Sequence, residues 1–199
     1  MYLVTPSLPC LRQLVAGNLS AATRESGLSF VGHSWPDDVE MREGLAVHLS
    51  GCEQNPSDAM WRVYVIAGDD ATALGHAGFT GGPSRNGELE MYWCVEPCWR
   101  RRGIARAAAT SLGHYAFAEE TVATITATIA RDNIASQRVA AALGMQPVVR
   151  ELKYGLPLWR LPREAWQSGV APMLVRAPSI DIVDGAEAHP RGHDLDRAM

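Results

Sequence analysis

Val95-Glu96-Pro97-Cys98-Trp99-Arg100-Arg101-Arg102-Gly103-Ile104-Ala105-Arg106 joins two stretches of different periodicity. Before it, residues 88–95 alternate, with Leu89, Met91, Trp93 and Val95 on one face and Glu88, Glu90, Tyr92 and Cys94 on the other, which is a strand pattern. After it, Ile104, Ala107, Ala108, Ser111, Leu112 and Tyr115 recur at helical spacing, which predicts a helix over 103–118. The joining stretch is therefore a short basic loop that leaves a strand and enters the first turn of a helix. That first turn has amides without intrahelical partners and carries partial positive charge. Gly103 lets an anion approach the backbone with no Cβ in the way, and the arginines add charge and donors. Three successive arginines are by themselves an ordinary solvated turn; the adjoining glycine is what points to a phosphate.

The chain has 199 residues, 47% hydrophobic and 20% charged, as expected of one globular domain. Its net charge of −4 argues against a general nucleic-acid binder, so the arginine cluster reads as a local anion site. Cys10, Cys52, Cys94 and Cys98 are irregularly spaced and form no C-x-x-C pair, so neither a zinc site nor a disulfide framework is expected, and free thiols suit a reducing compartment. The start has no secretory pattern and no run approaches a membrane span, which predicts a cytoplasmic chain with no membrane partner.

Along the chain, Met1–Val4 reads as a strand and Thr5-Pro6 as a helix entry; residues 19–35 show little periodicity, and a second helix is expected from Pro36 to about Leu49, with Val39, Leu45, Ala46 and Leu49 inward. Residues 51–59 read as a polar loop. Strands follow at 60–67 and 74–80, joined by a turn at Gly68-Asp69-Asp70; Gly75 and Gly78 suggest a bulge or a close ligand. After the 88–95 strand and the helix come a β-branched strand at 122–129 and a helix from Asn133. That helix turns Ala135, Val139, Ala142 and Leu143 inward and ends at Gly144. Two more strands lie around Gly155. Residues 168–199 lose periodicity and are expected to form a tail outside a domain of residues 1–167, with 173–175 and 180–183 as short apolar segments able to dock on an edge. Two carboxylates on one face of the 88–95 strand need a reason: a general base, or hydration at the strand end, or pairing with arginine.

The loop's Arg-x-x-Gly-x-Ala resembles the acyl-CoA loop of the GNAT acyltransferase superfamily. A second segment, Asn133-Ile134-Ala135-Ser136-Gln137-Arg138-Val139-Ala140-Ala141-Ala142-Leu143-Gly144-Met145, resembles the Asn-x-x-Ser-x-Arg-Val signature of the branch that includes the ribosomal-protein N-terminal acetyltransferases.

The resemblance implies an α/β GNAT fold: a mixed, mostly antiparallel sheet of six to seven strands, splayed at the middle between strands 88–95 and 122–129, with helices on both faces. Acetyl-CoA would enter that gap as cosubstrate. Main-chain groups of Trp93, Cys94 and Val95 would pair with its pantetheine, and its pyrophosphate would sit on the loop Arg100, Arg101, Arg102, Gly103, Ile104, Ala105 and Arg106. Asn133 and Ser136 would meet the pantetheine or thiol. The implied reaction moves an acetyl group to a primary amine of a small molecule or protein N-terminus. Glu90 matches the family's strand glutamate and is the first candidate for the base, Glu88 the second; the backbone N–H of Cys94 or Val95 would polarise the carbonyl. His33, Trp35 and His48 are candidates for acceptor contact. Many relatives carry a tyrosine seven residues after the asparagine; here that residue is Ala140, so Ser136 is the substitute for handling the leaving thiolate. The missing tyrosine leaves a second reading open, a non-catalytic acyl-CoA-binding sensor or scaffold, and a homodimer stays open as well.

Overall fold

The computed structural model describes residues 1–30, 39–153, 155–166 and 174–176. In chain order its regular elements are β1 (Tyr2–Val4), α1 (Leu8–Val15), α2 (Leu19–Ser26), α3 (Val39–Gln54), β2 (Val63–Ala67), β3 (Ala73–Phe79), β4 (Glu88–Val95), α4 (Ile104–Ala118), β5 (Thr124–Thr128), α5 (Ile134–Ala142), β6 (Gln146–Lys153), β7 (Leu156–Pro162) and β8 (Leu174–Arg176). Short 3₁₀ turns precede β2 and follow β4 and β7.

The strands form one sheet in the order β6-β7-β5-β4-β3-β2-β1-β8. Neighbours pair antiparallel except β4 with β5 and β1 with β8. The eighth strand exceeds the expected six to seven because Leu174–Arg176, inside the stretch expected as a tail, pairs with β1. The expected candidates His33 and Trp35 lie outside the described residues.

Period-2 burial gives the sheet two faces. On one, Leu89, Met91 and Val95 of β4 join Tyr64, Ile66, Phe79 and Ile125 against Ile104, Ala108, Leu112 and Ala116 of α4. On the other, Val63, Val65, Tyr2 and Val4 pack on Leu11 and Leu14 of α1, Ala22 of α2 and Leu45 of α3. Each face removes a continuous apolar layer from water, the main favourable term in folding.

Four local readings change. Ser7, not Thr5, caps α1, accepting from the Cys10 N–H at 3.2 Å, and Pro9 falls in the first turn where its missing N–H costs nothing. Residues 19–26 form α2, capped by the Asn18 side chain and closed by Gly27 at φ 69°; so short a helix, with only Ala21 and Ala22 buried, leaves little periodic trace. Helix α3 runs on to Gln54, so the expected polar loop at 51–59 begins as helix, and its inward stripe includes His48 and Cys52 beside Leu45. On α5 the buried residue is Ala140, with Val139 and Leu143 packed beside it, while Ala135 and Ala142 are exposed; the helix sits one residue step rotated from the expected face. Gly75 and Gly78 mark close backbone approach: a Cβ would strike the Cys94 carbonyl from the first and the Arg62 carbonyl from the second.

Candidate active site

Strands β4 and β5 share a ladder only at Glu88–Thr124, Leu89–Ile125 and Glu90–Thr126. Beyond Glu90, β4 continues to Val95 paired, among the described residues, with β3 alone, while Ala127 and Thr128 of β5 pair with β7. The sheet thus opens into a fork after three rungs. The Thr80 N–H donates to the Glu90 carbonyl and the Glu96 N–H to the Leu74 carbonyl, each at 3.0 Å, so the even-numbered residues of β4 turn their main chain toward β3. By that parity Met91, Trp93 and Val95 turn theirs into the gap. This separates three residues that the sequence grouped together. Trp93 and Val95 face the gap, Cys94 faces β3, and Met91 joins the gap-facing set. The side of the strand on which each main-chain group lies depends on the partner's register, which a single strand's pattern does not carry. The Val95 carbonyl is engaged, accepting from Arg100 Nε at 2.8 Å.

The loop at the mouth of the fork divides its arginines. Arg100 ties down the end of β4, and the Arg102 guanidinium lies over the Trp99 ring at 4.7 Å. Arg101 is exposed and left-handed at φ 63°, followed by Gly103 at φ 76°, with none of the described residues within 4 Å of where its Cβ would be. Helix α4 starts directly after Gly103. The Ala107 N–H donates to the Gly103 carbonyl at 3.0 Å, which leaves the amides of Ile104, Ala105 and Arg106 without intrahelical acceptors. No side chain caps this helix start. A left-handed pair of residues ahead of an uncapped helix gathers N–H groups into a concave anion seat.

The two carboxylates of β4 have different settings. Glu88, at the strand's start, pairs with Arg160 of β7 at 2.9 Å and is well exposed. Glu90 occupies the last rung before the fork and its side chain is 11% exposed. It accepts from Thr128 Oγ1 on β5, from Thr80 Oγ1 at 3.3 Å, and from Lys153 Nζ on β6 at 2.9 Å. Lys153 was not singled out in the sequence, although it is the chain's single lysine.

Beyond Glu90 on the same face, Tyr92 stacks on His48 of α3 with ring centroids 5.3 Å apart and lies 5.6 Å from His76 of β3. Among the described residues, His48 Nδ1 and Tyr92 Oη are buried without hydrogen-bond partners. Burial, reinforced by the Arg62 charge, pushes the His48 pKa down to about 4, so the ring is neutral near pH 7. Burial also pushes the Tyr92 phenol up. Of the three candidates for acceptor contact, His48 is thus buried against Tyr92.

On α5, the Asn133 side chain caps the helix by accepting from the Ser136 N–H at 3.0 Å. Both residues therefore stand at the helix's first turn, across the fork from β4's free edge. Ala140 is fully buried in the core.

A model of the acetyltransferase (GNAT) domain matches residues 18–146. The chain belongs to the GNAT acetyltransferase family. A curated relative, the uncharacterized N-acetyltransferase YjdG of Bacillus subtilis (strain 168), is 35% identical over 80 residues, 40% of this chain. The chain spans about half of that relative's length, 48%. Among solved structures, RimL, a ribosomal L7/L12 α-N-protein acetyltransferase in complex with coenzyme A, aligns over 79% of this chain and 89% of its own with a TM-score of 0.53 and 17% identity. An acetyltransferase from Agrobacterium tumefaciens str. C58 aligns over 78% and 84% with a TM-score of 0.51 and 19% identity. These two share the GNAT fold with this chain. Among the described residues of this GNAT chain, no helix is long and apolar enough to cross a membrane.

Proposed function

We propose that this chain transfers an acetyl group from acetyl-CoA directly to a primary amine. The observation that carries the reading is the fork: three rungs of β4–β5 pairing, then an unpaired strand edge facing the uncapped start of α4. A pantetheine arm is a short chain of amides, and it pairs with such an edge as an added strand would. Trp93, Met91 and the Val95 amide supply that edge. The pyrophosphate sits on the amides of residues 101–106, with Arg101 and Arg106 beside it. Asn133 and Ser136 meet the arm from the far side, and Ser136 is our candidate donor to the departing thiolate.

An amine must shed its proton before attack, and free amines have pKa values of about 8 for an α-amine and about 10 for lysine. We assign to Glu90 the drawing of an ammonium to the fork and the taking of its proton, directly or through water. A carboxylate offers about four acceptor sites, and three donors engage Glu90. The Val95 N–H is the candidate donor to the developing oxyanion. The acceptor is a small-molecule amine or a protein N-terminus.

The test is thiol release from acetyl-CoA across a panel of amines, with coenzyme binding measured in parallel. Amine-dependent release supports the reading; tight coenzyme binding with no transfer to any amine supports the second reading, an acyl-CoA-binding sensor or scaffold. Two observations favour that second reading: a buried alanine at position 140 and a lysine already seated on Glu90.

A further inference from the structure

Of the chain's 18 lysine and arginine residues, 17 are arginine. Arginine makes the ion pair to Glu88, caps the end of α4 through Arg163, and pairs with Glu53 through Arg12. The one lysine, Lys153, closes β6 at the Gly155 turn and places Nζ 2.9 Å from Glu90 Oε2. Its side chain is 41% exposed, so solvent reaches it while it holds the carboxylate.

The difference between the two cations is chemical. A guanidinium stays protonated under all ordinary conditions and has no lone pair to offer, whereas a lysine ammonium becomes a nucleophile once it loses one proton. At Glu88, one rung group away on the same face, the partner is the inert cation; at Glu90 it is the reactive one. The chain therefore holds its own primary amine on the carboxylate that we assign to deprotonating the acceptor.

We propose that Lys153 is an acetylation site served by the chain's own fork, and that its modification frees Glu90 for external amines. The inference rests on the acetyl-transfer reading above. In the step, the Lys153 ammonium gives one proton to Glu90, which passes it to water. The neutral Nζ attacks the thioester carbonyl; the N–C bond forms and the C–S bond breaks. The second nitrogen proton goes to the departing sulfur, so coenzyme A leaves as the thiol and one proton is released. The product amide is uncharged, and the ion pair to Glu90 is gone.

The chain provides its own reference amine. The Met1 ammonium pairs with Asp69 at 2.7 Å on the sheet's distant half, so general chemical acetylation reaches it without the fork.

The test uses the full chain and acetyl-CoA with no added acceptor, followed by digestion with a protease that cuts after lysine. Unmodified chain is cut once; acetylated chain is not. The expected result is time-dependent loss of that cut, one acetyl group on the Lys153 peptide ahead of Met1, and a several-fold rise in turnover of an external amine after preincubation. Lys153→Arg should show no such rise. Complete cleavage after prolonged incubation, in a preparation that acetylates an amine panel, overturns this inference and leaves the acetyl-transfer reading standing. Bound coenzyme with neither Lys153 nor any panel amine modified overturns both. Equal labelling of Met1 and Lys153 marks chemical acetylation and also overturns the inference.

Discussion

Replacing Gly103 by alanine separates the backbone role of this residue from its ligand role. Gly103 has φ 76° and ψ 1°, and a methyl group there would touch none of the described residues within 4 Å. Packing therefore adds no penalty, and the cost is that of a left-handed alanine, about 1–2 kcal/mol. For a chain of this size each kcal/mol lowers Tm by about 2–4 °C, so a fall of about 2–8 °C is expected. The open space that makes the substitution mild for folding is the space a phosphate would fill. Losing one charge-assisted hydrogen bond costs about 1.5–3 kcal/mol, on the order of tenfold to hundredfold in affinity. The assay pairs a thermal scan with a binding isotherm for coenzyme A, and the expected outcome is a modest Tm shift with weakening of at least tenfold. A Tm that falls as predicted with unchanged affinity refutes the placement of the anion at this turn.

Glu90→Gln should lower turnover by about 10²-fold or more while changing coenzyme affinity little, because the amide cannot accept the acceptor's proton; steady-state kinetics on any amine the chain accepts checks this. Arg163 caps the far end of α4, donating to the carbonyls of Phe117, Glu119 and Val122. Arg163→Ala should cost about 2–3 kcal/mol of stability, measured by denaturant titration, since charge-assisted bonds are lost at a helix C-terminus. His48 makes stability depend on pH: its folded pKa is depressed to about 4 from an ordinary value near 6.5. The unfolded chain therefore binds the proton first, and the stability this neutral ring contributes is full above about pH 6.5 and drains away between about 6.5 and 4, by up to about 3 kcal/mol. His48→Leu should flatten that part of the Tm–pH curve, and an unchanged slope would refute the assignment.

The sequence exposed the features that depend on nearby residues along the chain. The alternation of 88–95, the glycine at the start of α4, and the cap and C-terminal glycine of α5 are local, and each formed where its pattern placed it. What stayed hidden depends on partners far along the chain. Which β4 amides face the gap follows from the register with β3, so Cys94 turns its main chain to β3 and Met91, which the expected set left out, turns its own into the gap. Glu90's three donors come from positions 80, 128 and 153, brought together by folding, and His48 was absent from the inward set expected of α3 because that stripe is weakly patterned. The count of a single lysine was visible from the start; its significance needed the ion pair.

The three residues Leu174–Arg176 also matter for anyone shortening this chain. They lie against β1, the strand that would otherwise end the sheet with Tyr2–Val4 unprotected. Cutting after Trp166 would strip that cover and leave a bare row of donors and acceptors. The trimmed protein should then self-associate edge to edge, at the end of the sheet farthest from the fork.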